Sequence, residues 1–184
     1  MKDLDDQISL AAGRVAALAR ERGVHVGTAE SLTAGMVCAA LGAVTGVSGV
    51  LRGGVVSYAD AVKSAVLGVD PRLLHELGAV SEPVAVQMAD AARRVLGADL
   101  TVATTGVAGP GPSQGVSAGT VVIAVAGPQG ARPAVTTLNL TGDRAQVRSG
   151  ATLAALSMLI SALERPGSRP GSNAPAPDLA PRGG

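Results

Sequence analysis

The sequence predicts a layered α/β/α domain built on a mixed sheet, and three observations carry that prediction. Apolar, β-branched runs alternate with helix-period segments from the start of the chain to Ala126. Two further runs, Thr120–Ala126 and Ala134–Leu140, are joined through Gly127-Pro128-Gln129-Gly130 and read as an antiparallel hairpin, which makes the sheet mixed rather than parallel. The apolar content is 47% and almost wholly aliphatic, Tyr58 being the only aromatic residue, which suits small-residue helices packed closely on a sheet.

The elements follow in order. Asp3–Arg22 is a helix, because Leu4, Ile8, Val15 and Leu18 fall near one face with charged residues between them. Gly23 ends it, and Val24–Thr28 is a short strand. Thr33–Val44 is small and apolar, as a buried helix requires, and Gly49–Tyr58 is a second strand. Gly53 and Gly54 within that strand predict a bulge or a close backbone approach. Ala59–Leu67 and Pro71–Leu77 are short helices, Pro71 suiting a first turn. Ser81 is placed to cap a helix that runs to about Leu96, with Pro83 tolerated early in it. Asp99–Thr105 and Thr120–Ala126 are interior strands, another lies within Pro133–Leu140, and Arg144–Leu163 is the last helix.

At 184 residues the chain is most simply one domain, taken here as residues 1–165, followed by a Pro- and Gly-rich tail at 166–184 that is expected to be disordered. The formal net charge is +1, and Arg169, Arg182 and Asp178 of the tail account for it. A neutral domain with one aromatic ring lacks the basic surface and stacking platforms of a nucleic-acid binder. No apolar run is long enough for a membrane span, and the polar start argues against a secretory signal. A single cysteine, Cys38, and two separated histidines make neither a disulfide nor a zinc site. A reducing cytoplasm is the expected compartment, with no metal and no cofactor.

Three polar loops carry the chemistry-bearing residues. The first is Glu30-Ser31-Leu32-Thr33, where a strand gives way to a helix. A serine there serves either as a helix cap or as a nucleophile beside unpaired backbone N–H groups. The second, Gly53 to Lys63, holds Tyr58 at a strand end and Lys63 five residues on. Lys63 is either a solvated lysine or a buried one, and burial would let a neutral amine take a serine proton. The third is Thr104-Thr105-Gly106-Val107-Ala108-Gly109-Pro110, a glycine-rich loop able to face an anion, though it matches neither phosphate-loop nor dinucleotide fingerprints. Arg144 opens the last helix, where it could reach a phosphate, and Arg148 follows one turn later on what reads as a solvated face. His25 and His75 sit where no Ser-His-Asp triad with Ser31 is suggested.

In this order the loops resemble the CinA C-terminal domain family, whose stand-alone members are nicotinamide-nucleotide amidases. The resemblance spans about residues 5–164 and is carried by Thr28–Gly35, Arg52–Tyr58, Lys63, Leu67-Gly68-Val69, Gly78–Val84, Thr105–Pro110, Gly119-Thr120-Val121 and Gly142-Asp143-Arg144. It implies a cytoplasmic amidohydrolase that converts nicotinamide mononucleotide to nicotinic acid mononucleotide and ammonia, without metal or histidine triad. It also implies a homodimer or larger homo-oligomer acting on a small nucleotide. By residue match, Ser31 is the nucleophile, Lys63 its base and Tyr58 an accompanying hydroxyl. Glu30, Thr33, Thr105, Gly106 and Arg144 fall to substrate binding, Arg144 at the phosphate.

The chain departs from the family pattern in three places. Leu32 and Ala34 stand where Cys and Gly are common. Asp60 replaces an asparagine three residues before Lys63, and a carboxylate that close would favour an ammonium. Val116-Ser117-Ala118-Gly119 replaces a Lys-Pro-Val-Gly run and removes a lysine from the third loop. The competing expectation, from another class, is a non-catalytic nucleotide-sensing or protein-interaction module linked to competence or DNA damage. An amidase for a different small carboxamide is a third.

Overall fold

The computed structural model describes residues 2–127 and 132–165. The centre of the hairpin connection and the 166–184 tail lie outside these residues.

Five strands form one sheet in the order β2-β1-β3-β4-β5. They are β1 (Val26–Glu30), β2 (Leu51–Val56), β3 (Leu100–Gly106), β4 (Thr120–Ala126) and β5 (Ala134–Asn139). β1 runs parallel to both β2 and β3, whereas β3–β4 and β4–β5 are antiparallel. The mixed sheet and the hairpin are therefore as the sequence predicts. β3 lies between β1 and β4 and β4 between β3 and β5, which explains why both are buried along nearly their whole length and read as apolar, β-branched runs.

Six helices cover the two faces: α1 (Lys2–Arg22), α2 (Met36–Gly42), α3 (Asp60–Leu67), α4 (Pro71–Leu77), α5 (Glu82–Leu96) and α6 (Arg144–Glu164). One core packs Val15, Leu41, Leu156 and Leu159 against Val102 and Ile123 of the sheet. The other packs Leu67, Met88 and Ala92 against Ala103 and Ala124. Alternation along the strands divides the two cores: Val102 faces α1, α2 and α6, and Ala103 faces α3 and α5. Buried alanines on α5 and β3 let helix and sheet approach closely. Gly54 does the same for α2, since a Cβ there would lie 2.9 Å from Cys38 Cβ.

Several boundaries differ from the sequence reading, each for a local reason. β1 begins at Val26 rather than Val24, because the Val24 N–H closes α1 on Ala19 O (2.9 Å). α2 begins at Met36 rather than Thr33, because Ala34 (φ 50°) and Gly35 (φ 94°) are left-handed and cannot continue a right-handed turn. Residues 47–49 form a short 3₁₀ turn before β2. The predicted bulge is present: the β1–β2 register shifts between Val26↔Leu51 and Gly27↔Gly53. Ser81 occupies the N-cap position of α5, but its Oγ donates to Gly78 O (3.0 Å) and caps nothing. α6 is capped by Asp143, which exchanges bonds with Gln146 in a capping box.

Candidate active site

The alternation that divides the cores also decides what the end of β1 presents. Glu30 follows Thr28 and Val26 toward the α2 side, and Ser31 follows Ala29 and Gly27 toward the α3–α5 side. Ser31 lines a cavity of about 280 Å³ outside the carboxyl ends of the parallel strands, where open α/β sheets characteristically bind ligands. It is 8% exposed, and its Oγ has no hydrogen-bond partner among the described residues. Its backbone N–H is committed, donating to Thr104 O at 2.9 Å. A uncommitted hydroxyl on a cavity wall is what a nucleophile requires and what a helix cap lacks.

Capping falls to Glu30 instead. Its carboxylate is fully buried and accepts from the backbone N–H groups of Gly35 (2.9 Å), Val37 (3.1 Å) and Cys38 (2.8 Å), and from Thr28 Oγ1 (3.0 Å). Those are the orphan donors of α2, at the positive end of its dipole. Thr33 is likewise buried, its Oγ1 2.7 Å from Thr104 Oγ1. Neither residue lines the cavity, so both expected substrate contacts stand behind its wall and shape the Ser31 turn. Cys38 sits beside the same carboxylate. Burial, and then the Glu30 charge, push its thiol above the usual range, which makes it a poor thiolate at neutral pH.

Lys63 is 1% exposed and lines the cavity from the first turns of α3. Its Nζ donates to Tyr58 O (3.1 Å) and to Asp60 Oδ1 (3.1 Å). The buried alternative for Lys63 is thus the observed one, and the carboxylate flagged in the sequence does reach it. Tyr58 is 56% exposed at the cavity mouth. Its hydroxyl does not meet Lys63; it accepts from Arg144 Nη2 at 2.8 Å, leaving its own proton free to donate.

The third loop forms the opposite wall. Thr105 Oγ1 donates to Ala79 O (2.8 Å), so that hydroxyl fastens the segment before α5 rather than standing free. Gly106 lies at the end of β3 against β4, and a Cβ there would lie 2.5 Å from Thr120 O and 2.9 Å from Val121 Cα. Both neighbours are backbone and cannot yield cheaply. Gly106→Ala is expected to cost about 2–3 kcal/mol, lowering Tm by roughly 5–10 °C in a thermal melt. An unchanged melting curve would show that the two strands separate freely here.

Arg144 bridges the cavity mouth, Nη1 donating to Gly109 O (2.9 Å) and Nη2 to the Tyr58 hydroxyl. Two of its N–H groups are therefore spent on bracing the mouth, and the remaining guanidinium N–H groups are those open to an anion. Asp60, Lys63 and Arg144 are the charged residues of the lining. Ser113 and Gln114, which no motif singled out, complete the wall in the segment before the altered 116–119 run.

A more open apolar groove of about 510 Å³ lies between α1 and α2 and holds none of the candidate residues. His25 Nδ1 lies 3.1 Å from Asp99 Oδ2, at the opposite end of β1 from Ser31, and His75 lies on α4. Among the described residues no group of three His, Cys, Asp or Glu side chains could hold a metal, and no helix is long and apolar enough to cross a membrane.

The chain matches the family model described as the CinA C-terminal domain over residues 9–163. It is 47% identical over 160 residues to a CinA-like protein of Anaeromyxobacter sp., covering 86% of this chain and 38% of that one. With a CinA-like protein of Frankia casuarinae the identity is 43% over 147 residues, 80% of this chain and 34% of the other. The chain thus spans about a third of the length of these relatives. Among solved structures, the competence/damage inducible protein CihA of Agrobacterium tumefaciens superposes with a TM-score of 0.82 at 34% identity, covering 86% of this chain and 96% of that one. A competence-damaged protein (CinA) superfamily structure from Klebsiella pneumoniae gives 0.82 at 32%, covering 85% and 97%.

Proposed function

Because the chain belongs to the CinA C-terminal domain family, we propose that it is an amidohydrolase with a serine nucleophile and a lysine base, acting on the carboxamide of nicotinamide mononucleotide. One observation carries the reading: an uncommitted Ser31 hydroxyl shares a cavity with a lysine that is 1% exposed. A buried amine in the same cavity as the hydroxyl stands in the role that a triad would otherwise give to histidine.

The reaction runs in two halves. Ser31 Oγ attacks the carboxamide carbon as its proton passes to the Lys63 amine, and the carbonyl oxygen becomes an oxyanion. The Ser31 N–H is already spent on Thr104 O, so the donor that the turn offers to that oxyanion is the N–H of Leu32, a cavity-lining residue whose N–H has no partner among the described residues. Collapse breaks the C–N bond while the Lys63 ammonium returns the proton to the leaving nitrogen, releasing ammonia. Water then adds to the ester, Lys63 takes its proton, and the acid product leaves as Ser31 is reprotonated. Tyr58 and Arg144 hold the nucleotide end at the mouth, where the guanidinium faces the phosphate.

The direct test incubates purified protein with nicotinamide mononucleotide and assays ammonia. No release at any protein concentration would leave the non-catalytic module standing. A substrate panel adds the third reading: preference for an unphosphorylated carboxamide would tie the lost loop lysine to a changed substrate.

Asp60 bears on the rate. The amine can accept the Ser31 proton only outside the ion pair with Asp60, whose side chain is itself 41% exposed. Asp60→Asn keeps an acceptor at that position and removes the charge. A partly solvated pair is worth about 0.2–1 kcal/mol, so turnover at pH 7 is expected to rise by a factor of roughly 1.4 to 5. A fall in turnover would show that Asp60 chiefly holds Lys63 in place.

A further inference from the structure

Arg148 reads from the sequence as part of a solvated helix face, yet in the fold it is partly buried and turned onto the Ser31 turn. Its Nε donates to Leu32 O (3.0 Å) and its Nη2 to Thr33 O (2.9 Å). One guanidinium therefore fixes two consecutive carbonyls, 116 and 115 residues away in the chain. Ala34 N–H donates to Ser31 O (3.1 Å), so Leu32 and Thr33 are the central residues of a β-turn whose first residue is the candidate nucleophile.

The consequence follows from peptide geometry. In a planar trans peptide the C=O of one residue and the N–H of the next point in opposite directions. With Leu32 O drawn to Arg148, the Thr33 N–H is directed away from α6. The second clamped carbonyl, Thr33 O, belongs to the peptide that carries the Ala34 N–H, whose bond to Ser31 O orients the Ser31 peptide; the Leu32 N–H, opposite that carbonyl, has no partner among the described residues and belongs to a residue that lines the cavity. Rotation of the Thr33–Ala34 peptide would break the Ala34 bond to Ser31 O and release the Ser31 peptide, and with it the Leu32 N–H. The turn is also under strain, since Ala34 holds φ 50°, a left-handed conformation that a residue with a Cβ seldom adopts. Something must hold it there, and the guanidinium fork provides two bonds in a fixed plane.

We propose that Arg148 is a positioning residue for the oxyanion donor of the Ser31 turn, clamping the Leu32 and Thr33 carbonyls so that the turn bond to Ser31 O holds and the Leu32 N–H stays presented. It touches no substrate: Arg144, one turn earlier, lines the cavity and Arg148 does not. The inference rests on the amidase reading for its catalytic meaning, but the clamp itself is testable without turnover.

Two measurements on Arg148→Ala and Arg148→Lys, with the native protein alongside, separate the two. The first is amide hydrogen exchange. Exchange at Ala34 is expected to accelerate at least tenfold in Arg148→Ala while the β3 and β4 amides keep their native rates. The second is ammonia release from nicotinamide mononucleotide. The kcat of Arg148→Ala is expected to fall ten- to a hundredfold with KM changed by less than threefold. Added guanidinium ion should restore part of it, and Arg148→Lys, which cannot fork, should remain impaired. Native exchange at Ala34 in Arg148→Ala would overturn the clamp. A raised KM at native kcat would overturn the positioning role in favour of substrate binding. If the native protein itself releases no ammonia, the amidase reading fails, and accelerated Ala34 exchange still upholds the clamp.

Discussion

Ser31→Ala is expected to lower ammonia release from nicotinamide mononucleotide by at least about 10⁴-fold while leaving the protein folded and able to bind. The size follows from the role. Removing a nucleophile removes the covalent route altogether, and what remains is the residual acceleration supplied by binding and the oxyanion donors. The retained stability follows from the structure, because Ser31 Oγ has no hydrogen-bond partner among the described residues to lose. A change within about 0.5 kcal/mol is expected in urea unfolding. Binding of the nucleotide, measured by calorimetry, should stay within about threefold of native, since binding groups and nucleophile are separate. Undiminished turnover in the alanine variant would sink the mechanism.

Lys63→Met carries the second large effect. Methionine follows the lysine stem and removes only the amine, so the base is lost with little change in packing. General base catalysis contributes about 10²–10⁴-fold, and turnover should fall by that factor. Stability should move little. The substitution removes a charge that is costly to bury, and it leaves Tyr58 O and Asp60 Oδ1 without their donor, but the Asp60 side chain is 41% exposed and water can replace the amine there. The balance is expected within about 1 kcal/mol in either direction. Turnover near the native level would mean that the Ser31 proton leaves by another path, with Tyr58 the first residue to examine.

What could be read from the chain beforehand divides along a physical line. Interior strands and helix boundaries are local matters: the apolar runs of β3 and β4, Gly23 as a stop, and Pro71 at a first turn all act within a few residues. Their places in the fold agree with the sequence to within two or three residues. The division of labour between Glu30 and Ser31 was not legible in that way. Both lie in one short polar loop, and only the phase of β1 in the sheet sends one side chain to α2 and the other to the cavity. Bonds across the fold were hidden for the same reason. Nothing in the run from Arg144 to Arg148 tells that the first guanidinium meets Tyr58 and Gly109 while the second meets Leu32 and Thr33. Asp60 and Lys63 are the exception, because a three-residue spacing on a helix brings two side chains together whatever the rest of the fold does.

The adjacency of Glu30 and Ser31 has a consequence for how this protein can vary. A slip of β1 by a single residue would turn the carboxylate into the cavity and the serine against α2. It would leave the first turn of α2 uncapped and put a negative charge into the cavity that Ser31 now lines. The segment from Gly23 to Ala29 is therefore intolerant of insertion or deletion by one residue, however conservative the residue itself. Length polymorphism should instead collect in connections whose phase matters to no catalytic group, such as the 127–133 hairpin connection.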